Sequence, residues 1–305
     1  MTAPVFPLPV SLLDGIVAYA LQEDLGTAGD ITSSITVSED AQAVANVVVR
    51  RPGTVSGLPV AVQAFRSVDP TLCLKTLCAD GSQAVPGDVI LSVSGRARSV
   101  LTAERTVLNF LGHLSGVATE TRTLVDAVAH TKVRICCTRK TTPGLRVLEK
   151  YAVRCGGGFN HRFGLGDGLL IKDNHIIAAQ GIAAAVVEAK AKVGHMVKIE
   201  VEVDRIDQIE PALSGGADVI MLDNMDLPTM AEAVTLIARR AIVEASGSIT
   251  KDTVEAVAES GVDVISVGWI THSAPTLDVG LDFQQEPSAL RIEKVSKTMF
   301  SGLSN

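Results

Sequence analysis

A cluster of basic residues lies between Arg134 and Asp173, although the chain as a whole is acidic. The segment contains eight Lys or Arg residues against three acidic residues, whereas the whole chain has a formal net charge of -7. A small anionic ligand is the simplest explanation of a basic pocket in an acidic protein. A nucleic acid would need a broad basic face instead.

The strongest candidates for anion binding in this segment are Arg139 and Arg162. An Arg side chain pairs bidentately with a carboxylate or a phosphate, and a Lys side chain supplies a compact positive charge. Lys140, His161 and Lys172 extend the cationic set. The segment therefore predicts a pocket for a ligand with two or more carboxylates, or with phosphates.

Other residues of the segment have simpler interpretations. The glycines at 156–158 would let the backbone turn or approach a ligand closely. Lys150 and Arg154 fall in a helical stretch at 145–155, and we interpret them as the solvated face of that helix.

The composition is that of an ordinary globular protein. The 305 residues are 47% hydrophobic, 20% charged and only 3% aromatic, and the scarcity of aromatic residues argues against a surface that stacks on bases. No apolar run approaches the ~20 residues of a membrane span, and the first residues lack the basic region of a secretory signal. We expect a cytoplasmic enzyme.

The five cysteines form an odd count without the paired spacing of a zinc site. We expect reduced, buried thiols. A catalytic thiol stays open as an alternative at Cys137, because the neighbouring Arg139 and Lys140 could lower its pKa.

The first hundred residues mix helix and strand. A capping box at Ser11–Asp14 predicts a helix that ends near Gly26, and the segment 29–33 is typical of a turn. Residues 43–100 are mostly strand, interrupted by a helix at about 57–67. A long helix follows from about Leu101 to His130, and we expect a break near Gly112 or Gly116.

After residue 132, short apolar runs alternate with helical stretches, which indicates βα units and a parallel sheet. The six runs are 133–137, 168–171, 197–203, 217–222, 241–244 and 262–267. The remaining length is short for eight such units, because a full barrel takes about 250 residues. We expect an incomplete barrel of six or seven strands.

Each apolar run ends in residues that could do chemistry, and active sites of such barrels lie at the carboxyl ends of the strands. Glu202 and Asp223 could hold Mg²⁺ or accept hydrogen bonds from sugar hydroxyls. The loops 246–248 and 268–272 are typical of phosphate binding through backbone N–H groups. We expect only one of Glu200 and Glu202 to enter the site, namely Glu202, with Glu200 paired to Lys198 or Lys172. Together these groups suggest a phosphorylated sugar and an anionic partner.

The residues resemble a known family, quinolinate phosphoribosyltransferase. The resemblance extends over nearly the whole chain, in order, through the segments 23–32, 104–109, 138–146, 156–162, 166–176, 200–204, 221–224 and 268–273.

The resemblance implies a reaction and an architecture. Quinolinate and phosphoribosyl pyrophosphate would give nicotinate mononucleotide, pyrophosphate and CO₂ with Mg²⁺, in the de novo synthesis of NAD. The fold would be α/β: an N-terminal α/β open sandwich at 1–115, joined by a C-terminal tail at 282–305, and an incomplete α/β barrel at 116–281.

The resemblance also implies roles for residues. Lys140, Lys172, Glu202 and Asp223 would be catalytic, and Glu202 and Asp223 would also be the metal ligands. The substrates would bind to these four and to Arg105, Thr138, Arg139, His161, Arg162, Ser246, Gly247, Ser248, Ser266, Val267, Gly268 and His272. The protein would be a homodimer or a hexamer built as a trimer of dimers, in which Arg105 reaches the neighbouring subunit's active site.

Three positions depart from the family pattern. Cys137 stands where an acidic residue is expected, Ser248 replaces a usual Gly, and Trp269 is bulky for a phosphate loop.

Three alternatives compete with the family's reaction. A paralogue associated with molybdate transport would share the barrel but use another substrate. A biotinyl or lipoyl carrier would need a Lys between Gly81 and Leu101, where the chain has none. Nicotinate, a monocarboxylate, would leave part of the cationic set unpaired.

Overall fold

Most strands divide between an antiparallel sheet, formed mostly by the first half of the chain, and a parallel sheet formed by the second half, and residues 53–54 and 83–84 form a separate two-stranded sheet. The computed structural model describes residues 7–284. The predicted packing of the C-terminal tail lies, from residue 285 onwards, outside the described residues. No helix within 7–284 is both long enough and apolar enough to cross a lipid bilayer.

The elements of the first half are α1 (Val10–Leu25), α2 (Ile31–Thr36), β1 (Gln42–Val49), β2 (Gly53–Thr54), α3 (Leu58–Val68), β3 (Cys73–Thr76), β4 (Gln83–Ala84), β5 (Val89–Arg96) and α4 (Ala97–Ala127). Those of the second half are β6 (Arg134–Cys136), α5 (Arg146–Cys155), β7 (Leu169–Ile171), α6 (Asp173–Ala178), α7 (Ile182–Lys192), β8 (Ile199–Val203), a 3₁₀ turn (Ile206–Gln208), α8 (Ile209–Gly215), β9 (Val219–Asp223), α9 (Leu227–Ile237), β10 (Ile242–Ser246), α10 (Val254–Glu259), β11 (Val264–Ser266), α11 (Trp269–His272) and β12 (Val279–Phe283).

The first half is an open sandwich of helices on a four-stranded antiparallel sheet, ordered β12-β1-β5-β3. Its core joins strand residues such as Val47 and Leu91 to Phe65 of α3 and Leu111 of α4, all fully buried. The last described strand, β12, returns from the second half and pairs antiparallel with β1. The predicted strands and the helix at about 57–67 are confirmed.

Two local predictions near the start of the chain were wrong. The first helix begins at Val10 with Pro9 as its N-cap, which places Ser11 inside the first turn, and no side chain caps the helix. The segment predicted as a turn begins α2 instead, because the Asp30 carboxylate accepts a hydrogen bond from the Ser33 N–H at 2.9 Å and caps the helix.

The long helix α4 runs unbroken for 31 residues, so the predicted break was also wrong. Its two glycines lie where the segment 275–277 crosses the helix, and a Cβ on Gly116 would stand 2.1 Å from the carbonyl oxygen of Pro275. The glycines therefore permit close packing of backbone against backbone, and that contact outweighs their weak helix propensity.

The second half is a six-stranded parallel sheet ordered β6-β11-β10-β9-β8-β7, and all six predicted strands are confirmed. Phe159 adds a parallel bridge to Cys136 beside the edge strand β6. The sheet curls into an incomplete barrel, since His161 beyond this edge contacts both Glu200 on β8 and Glu244 on β10. Because the strands are parallel, their carboxyl ends share one mouth.

Candidate functional site

The barrel mouth carries the polar residues predicted from the strand ends. Asp223 and Ser246 end the neighbouring strands β9 and β10 and are partners in the register of the sheet. Ser266 ends β11, opposite Cys136, and the next residue, Val267, donates its N–H to the Cys136 carbonyl. Both Ser266 and Val267 are buried, so only their neighbours on the loop face the open mouth.

Two guanidinium groups, Arg139 and Arg162, lie together at the edge of the mouth. Both side chains are half-buried, and the Nε of each is buried without a hydrogen-bond partner within the described part of the chain. Arg162 Nη1 donates to the Gly168 carbonyl at 2.9 Å. Burial and the neighbouring Arg139 lower the pKa of Arg162. Two buried, repelling cations with unused donors form a site for an anion.

The mouth also holds an ion pair. Lys172 Nζ lies 2.7 Å from Glu202 Oε2, across the neighbouring strands β7 and β8. The backbone N–H of Lys172 donates to His175 Nδ1 at 3.0 Å, so His175 orients the start of α6.

Lys140 lies against the loop that follows β11. A Cβ on Gly268 would stand 2.9 Å from Lys140 Cδ, 3.3 Å from Thr138 Oγ1 and 3.5 Å from His272 Nε2, so these groups surround this glycine. Thr271 Oγ1 donates to the Lys140 carbonyl at 2.7 Å and fixes the two loops together. A cation, a hydroxyl and an imidazole around a glycine form a suitable place for a phosphate.

The bulky Trp269 does not obstruct this loop. Its indole Nε1 donates to the Ile249 carbonyl at 2.9 Å, and its ring lies 5.8 Å from Lys251 Nζ. The ring is thereby anchored beside the loop that follows β10.

The loop after β10 is open and has little side-chain bulk. Gly247 and Ser248 are exposed, and Gly247 takes a φ of 131°, which favours glycine. The Asn224 side chain packs on this glycine, because a Cβ there would stand 2.4 Å from Asn224 Oδ1. Asn224 also donates through Nδ2 to Asp223 Oδ2 at 3.0 Å, a role that was not predicted from the sequence.

Glu200 and Glu202 lie on the same face of β8, toward the barrel interior, and Glu200 is the more deeply buried of the two. Side chains two residues apart on a strand point to the same face. Glu200 is buried and pairs with His161, whose Nε2 lies 3.0 Å from Oε2, and not with Lys198 or Lys172.

His161 is engaged through both ring nitrogens. Nδ1 accepts the Arg162 N–H at 2.8 Å, and Nε2 also lies 3.7 Å from Glu244 Oε1. Glu244 was not predicted from the sequence, although an acid within the apolar run of β10 was a visible signal. Burial and the nearby Glu200 raise the pKa of Glu244. The His161 imidazole thus connects the backbone of Arg162 to the two buried carboxylates inside the barrel.

The interpretation of Lys150 as solvated was wrong. Lys150 is fully buried, and Nζ donates to the His161 carbonyl at 2.8 Å and contacts Cys137 Sγ at 3.1 Å. Arg154 is half-buried, with its guanidinium 4.9 Å from the Phe159 ring centre. The spacing of apolar and charged residues along α5 therefore does not separate buried from solvated cations.

The glycines at 156–158 serve packing. A Cβ on Gly156 would stand 2.4 Å from the Ala118 carbonyl, and a Cβ on Gly158 would stand 2.6 Å from Thr121 Cγ2, both on α4. Their small size allows α4 to approach this segment closely.

The donor groups suited to a metal ion fall in two places outside the predicted pair. Within residues 7–284, three-residue groups of His, Asp, Glu or Cys with converging donor atoms are His130 with Glu255 and Glu259, and His161 with Glu200 and Glu244. Glu202 and Asp223 lie on adjacent strands at the mouth, both half-buried.

Arg105 lies apart from the other predicted residues, exposed on α4. On the same helix, Thr106 and Asn109 line a cavity of about 570 Å³ between α1, α4 and the loop 143–145.

Sequence profiles identify what the chain is similar to. The profile described as "Quinolinate phosphoribosyl transferase, N-terminal domain" matches residues 30–115, and the profile of the C-terminal domain matches residues 117–282. The protein named "Probable nicotinate-nucleotide pyrophosphorylase [carboxylating]" from Bacillus subtilis is 44% identical over 85% of this chain and 89% of its own length. A Mycobacterium leprae protein named "Nicotinate-nucleotide pyrophosphorylase [carboxylating]" is 41% identical, over 86% of this chain and 94% of its own length.

A solved structure agrees with the sequence comparisons. The nicotinate-nucleotide pyrophosphorylase from Francisella tularensis superposes with a TM-score of 0.88 at 39% identity, covering 93% of this chain and 100% of that one.

Proposed function

The chain belongs to the quinolinate phosphoribosyltransferase family, and we propose from its geometry how its residues carry out the family's reaction. It is a decarboxylating pentosyltransferase: quinolinate and phosphoribosyl pyrophosphate become nicotinate mononucleotide, pyrophosphate and CO₂, a step of de novo NAD biosynthesis. The observation that carries the residue assignment is the pair of buried, unpartnered guanidinium nitrogens at the barrel mouth.

Arg139 and Arg162 bind the adjacent carboxylates of quinolinate. Each has a free buried Nε, and a carboxylate satisfies such a donor and offsets the repulsion between the two cations. Lys172, which follows β7 at the same mouth, supplies a third positive charge. We call Arg139, Arg162 and Lys172 the quinolinate clamp. His161 supports this clamp by positioning Arg162, because the ring nitrogens of His161 are engaged inside the barrel.

The phosphates of phosphoribosyl pyrophosphate bind to two loops. Lys140, Thr138 and His272 surround Gly268, and the exposed Gly247 and Ser248 offer backbone N–H groups nearby on the loop after β10. Ser246, Ser266 and Val267 hold these loops at the strand ends.

Glu202 and Asp223 serve the ribose and the metal ion. Mg²⁺ usually takes one or two protein carboxylates and completes its shell with water and substrate phosphates, so two half-buried carboxylates at an open mouth fit it. When bound, Mg²⁺ would neutralise charge on the departing pyrophosphate. The same carboxylates stabilise positive charge that develops on the sugar.

The chemistry needs positioning and electrostatics more than covalent help. The clamp aims the pyridine nitrogen at the sugar carbon, and the nitrogen attacks as pyrophosphate leaves. Lys140 and the two loops stabilise the charge on the leaving group. CO₂ then leaves from the carbon next to the nitrogen, and the electron pair of the broken C–C bond stays on that carbon, stabilised by the adjacent positive nitrogen. A proton from solvent adds to this carbon to give nicotinate mononucleotide, while Arg139, Arg162 and Lys172 hold the ring.

The active site is completed by a second copy of the chain in a homodimer, or in a trimer of such dimers. Arg105 supports this assignment because it is exposed on α4 and is a cation suited to quinolinate. Exposed apolar residues on α1 and α2, including Tyr19 and Ile35, provide a surface that a partner would cover. The five free cysteines fit a reducing compartment, which supports a cytoplasmic location.

Turnover with paired substrates tests the function. Purified protein with Mg²⁺ and phosphoribosyl pyrophosphate is given quinolinate or nicotinate, and nicotinate mononucleotide and CO₂ are followed. We expect product and CO₂ from quinolinate only. A folded protein that turns over nicotinate and leaves quinolinate untouched would overturn the dicarboxylate assignment.

A further inference from the structure

Among the residues that the structure describes, the buried side chain of Lys150 has no carboxylate partner to balance its charge. It is fully buried on α5, and no Asp or Glu within residues 7–284 forms an ion pair with it. The adjacent Glu149 is committed to His113, at 2.9 Å. Nζ instead meets the His161 carbonyl at 2.8 Å, Cys137 Sγ at 3.1 Å and the Phe163 ring at 5.1 Å. A buried ammonium without a counter-charge is strongly disfavoured.

Cys137 is the group placed to supply that counter-charge. Its side chain is fully buried, on the outer face of the strand end, and Sγ also lies 3.3 Å from the side-chain oxygen of Asn160. The Asn160 amide can present its NH₂ group to a thiolate if it is turned over. We infer that Cys137 is a thiolate that forms a buried ion pair with Lys150, and that this pair positions Arg139 and Arg162 for quinolinate.

The charges around Cys137 favour the thiolate. A hydrogen bond from Cys136 and the charge of Lys150 lower the pKa of Cys137 to about 6, against the opposing effect of burial. Arg154, on the same helix as Lys150, adds a second positive charge near the sulfur. The hydrogen bond to Cys137 and burial, with a smaller effect of Glu244, raise the pKa of Cys136, which keeps Cys136 protonated as a donor. The two cysteines therefore divide into a donor and an acceptor.

The pair is attached to both backbone segments of the clamp. The Cys137 N–H donates to the Phe159 carbonyl at 3.1 Å, and Arg139 follows two residues later. Lys150 Nζ holds the His161 carbonyl, immediately before Arg162. The Nε atoms of Arg139 and Arg162 are buried and make no hydrogen bond within the described residues. The orientation of both side chains therefore depends on the backbone that the Cys137–Lys150 pair holds in place. This positioning role rests on the proposed clamp.

The first experiment reads the thiolate without using activity. The ultraviolet absorbance of thiolate is titrated in the whole folded protein through about pH 6. We expect one thiolate to disappear as the pH falls through this range, and to be absent from Cys137→Ala at neutral pH. Cys155→Ser is the matched control, because burial raises the pKa of that thiol to about 12 and its removal should leave the signal intact. A flat titration in the wild-type protein would overturn the ion pair.

The second experiment measures how the pair affects the binding of quinolinate. Cys137→Ala should raise the KM for quinolinate on the order of ten-fold, which corresponds to about 1.4 kcal/mol, and should change the KM for phosphoribosyl pyrophosphate much less. Cys137→Asp, which keeps a negative charge beside Lys150, should restore the KM for quinolinate. If Cys137→Asp behaves like Cys137→Ala, charge is not the property that positions the clamp, and the inference fails.

A double substitution tests the ion pair through the stability of the fold, independently of activity. Cys137→Ala combined with Lys150→Met removes both charges, and it should have a higher Tm than Cys137→Ala alone, because a lone buried ammonium no longer remains. An equal or lower Tm would contradict the ion pair. If the wild-type protein shows the thiolate but no turnover of quinolinate, the proposed function fails while the ion pair stands.

Discussion

Lys172 and Glu202 form an ion pair between the neighbouring strands β7 and β8 at the barrel mouth, with Nζ 2.7 Å from Oε2. One partner is assigned to the carboxylates of quinolinate and the other to the ribose. The two substrate sites are therefore joined through this contact, and a quinolinate carboxylate must compete with Glu202 for the ammonium.

Glu202→Gln should separate these two roles. The loss of the carboxylate removes stabilisation of positive charge on the sugar, so kcat should fall by about 10²–10³. The KM for quinolinate should not rise, because Lys172 is released for the substrate. Steady-state kinetics in both substrates would measure this, with Glu210→Gln as control, since Glu210 is exposed and paired with Arg240. An increase in the KM for quinolinate with unchanged kcat would contradict the assignment.

Arg162→Ala should reduce kcat/KM for quinolinate by on the order of 10²-fold, since a charge-assisted contact in a buried site contributes about 2–5 kcal/mol. The comparison is Arg122→Ala, which breaks an exposed pair with Asp126 on α4 and should leave kcat/KM within about two-fold. Near-normal efficiency in Arg162→Ala would remove Arg162 from the clamp.

Asp69 should make the free energy of unfolding depend on pH in the acid range. Hydrogen bonds from Thr71, then from Ser99 and Arg96, hold the pKa of Asp69 below its ordinary value of 3.8, although its burial opposes this. Because the folded pKa is depressed, the stabilisation is full above the unfolded pKa and is lost as the pH falls below it.

Asp69→Asn should therefore lower the free energy of unfolding at neutral pH by about 1.5–3 kcal/mol. Urea unfolding at pH 7 and in the acid range measures it, and the difference between wild type and variant should shrink below about pH 4. A difference that does not change with pH would show that the Asp69 charge is not the cause.

Gly116→Ala should destabilise the protein by about 1–3 kcal/mol, despite the better helix propensity of Ala, because its Cβ meets the Pro275 carbonyl. The matched variant is Gly15→Ala in α1, where no atom of residues 7–284 lies within 4 Å of the added Cβ. That substitution should stabilise by about 0.5–1 kcal/mol. Thermal unfolding of both variants measures the contrast, and a stabilised Gly116→Ala would contradict the close packing of α4.

The six parallel strands and their polar ends could be predicted because they depend on local pattern. Apolar runs of four to seven residues separated by helical stretches define the six strands, and their shared mouth follows from parallel topology. The placement of Arg139 and Lys172 at that mouth is a consequence of the same pattern. Arg162 reaches it through the bridge between Phe159 and Cys136, which lies outside the six runs.

The errors arose where distant segments decide the outcome. Lys150 has the spacing of a surface residue on α5, and only the approach of Cys137 and the His161 carbonyl makes a buried position tolerable. The break expected at Gly112 or Gly116 does not occur because a segment some 160 residues later fills the space beside the helix. By contrast, the shared face of Glu200 and Glu202 could have been predicted from the sequence alone, because residues two apart on a strand point to the same side.

The unbroken helix α4 has a practical consequence for dividing this chain. The two family profiles meet at residues 115–117, in the middle of α4 and at the very turn that holds Pro275. A cut at this position would leave each fragment with half of α4 and with its apolar face exposed to solvent. A tag inserted there would interrupt the same helix. The halves are therefore recognisable as separate modules in sequence, yet they are poor units for separate expression, and a fusion partner is better placed in an exposed loop such as the one around Gly87.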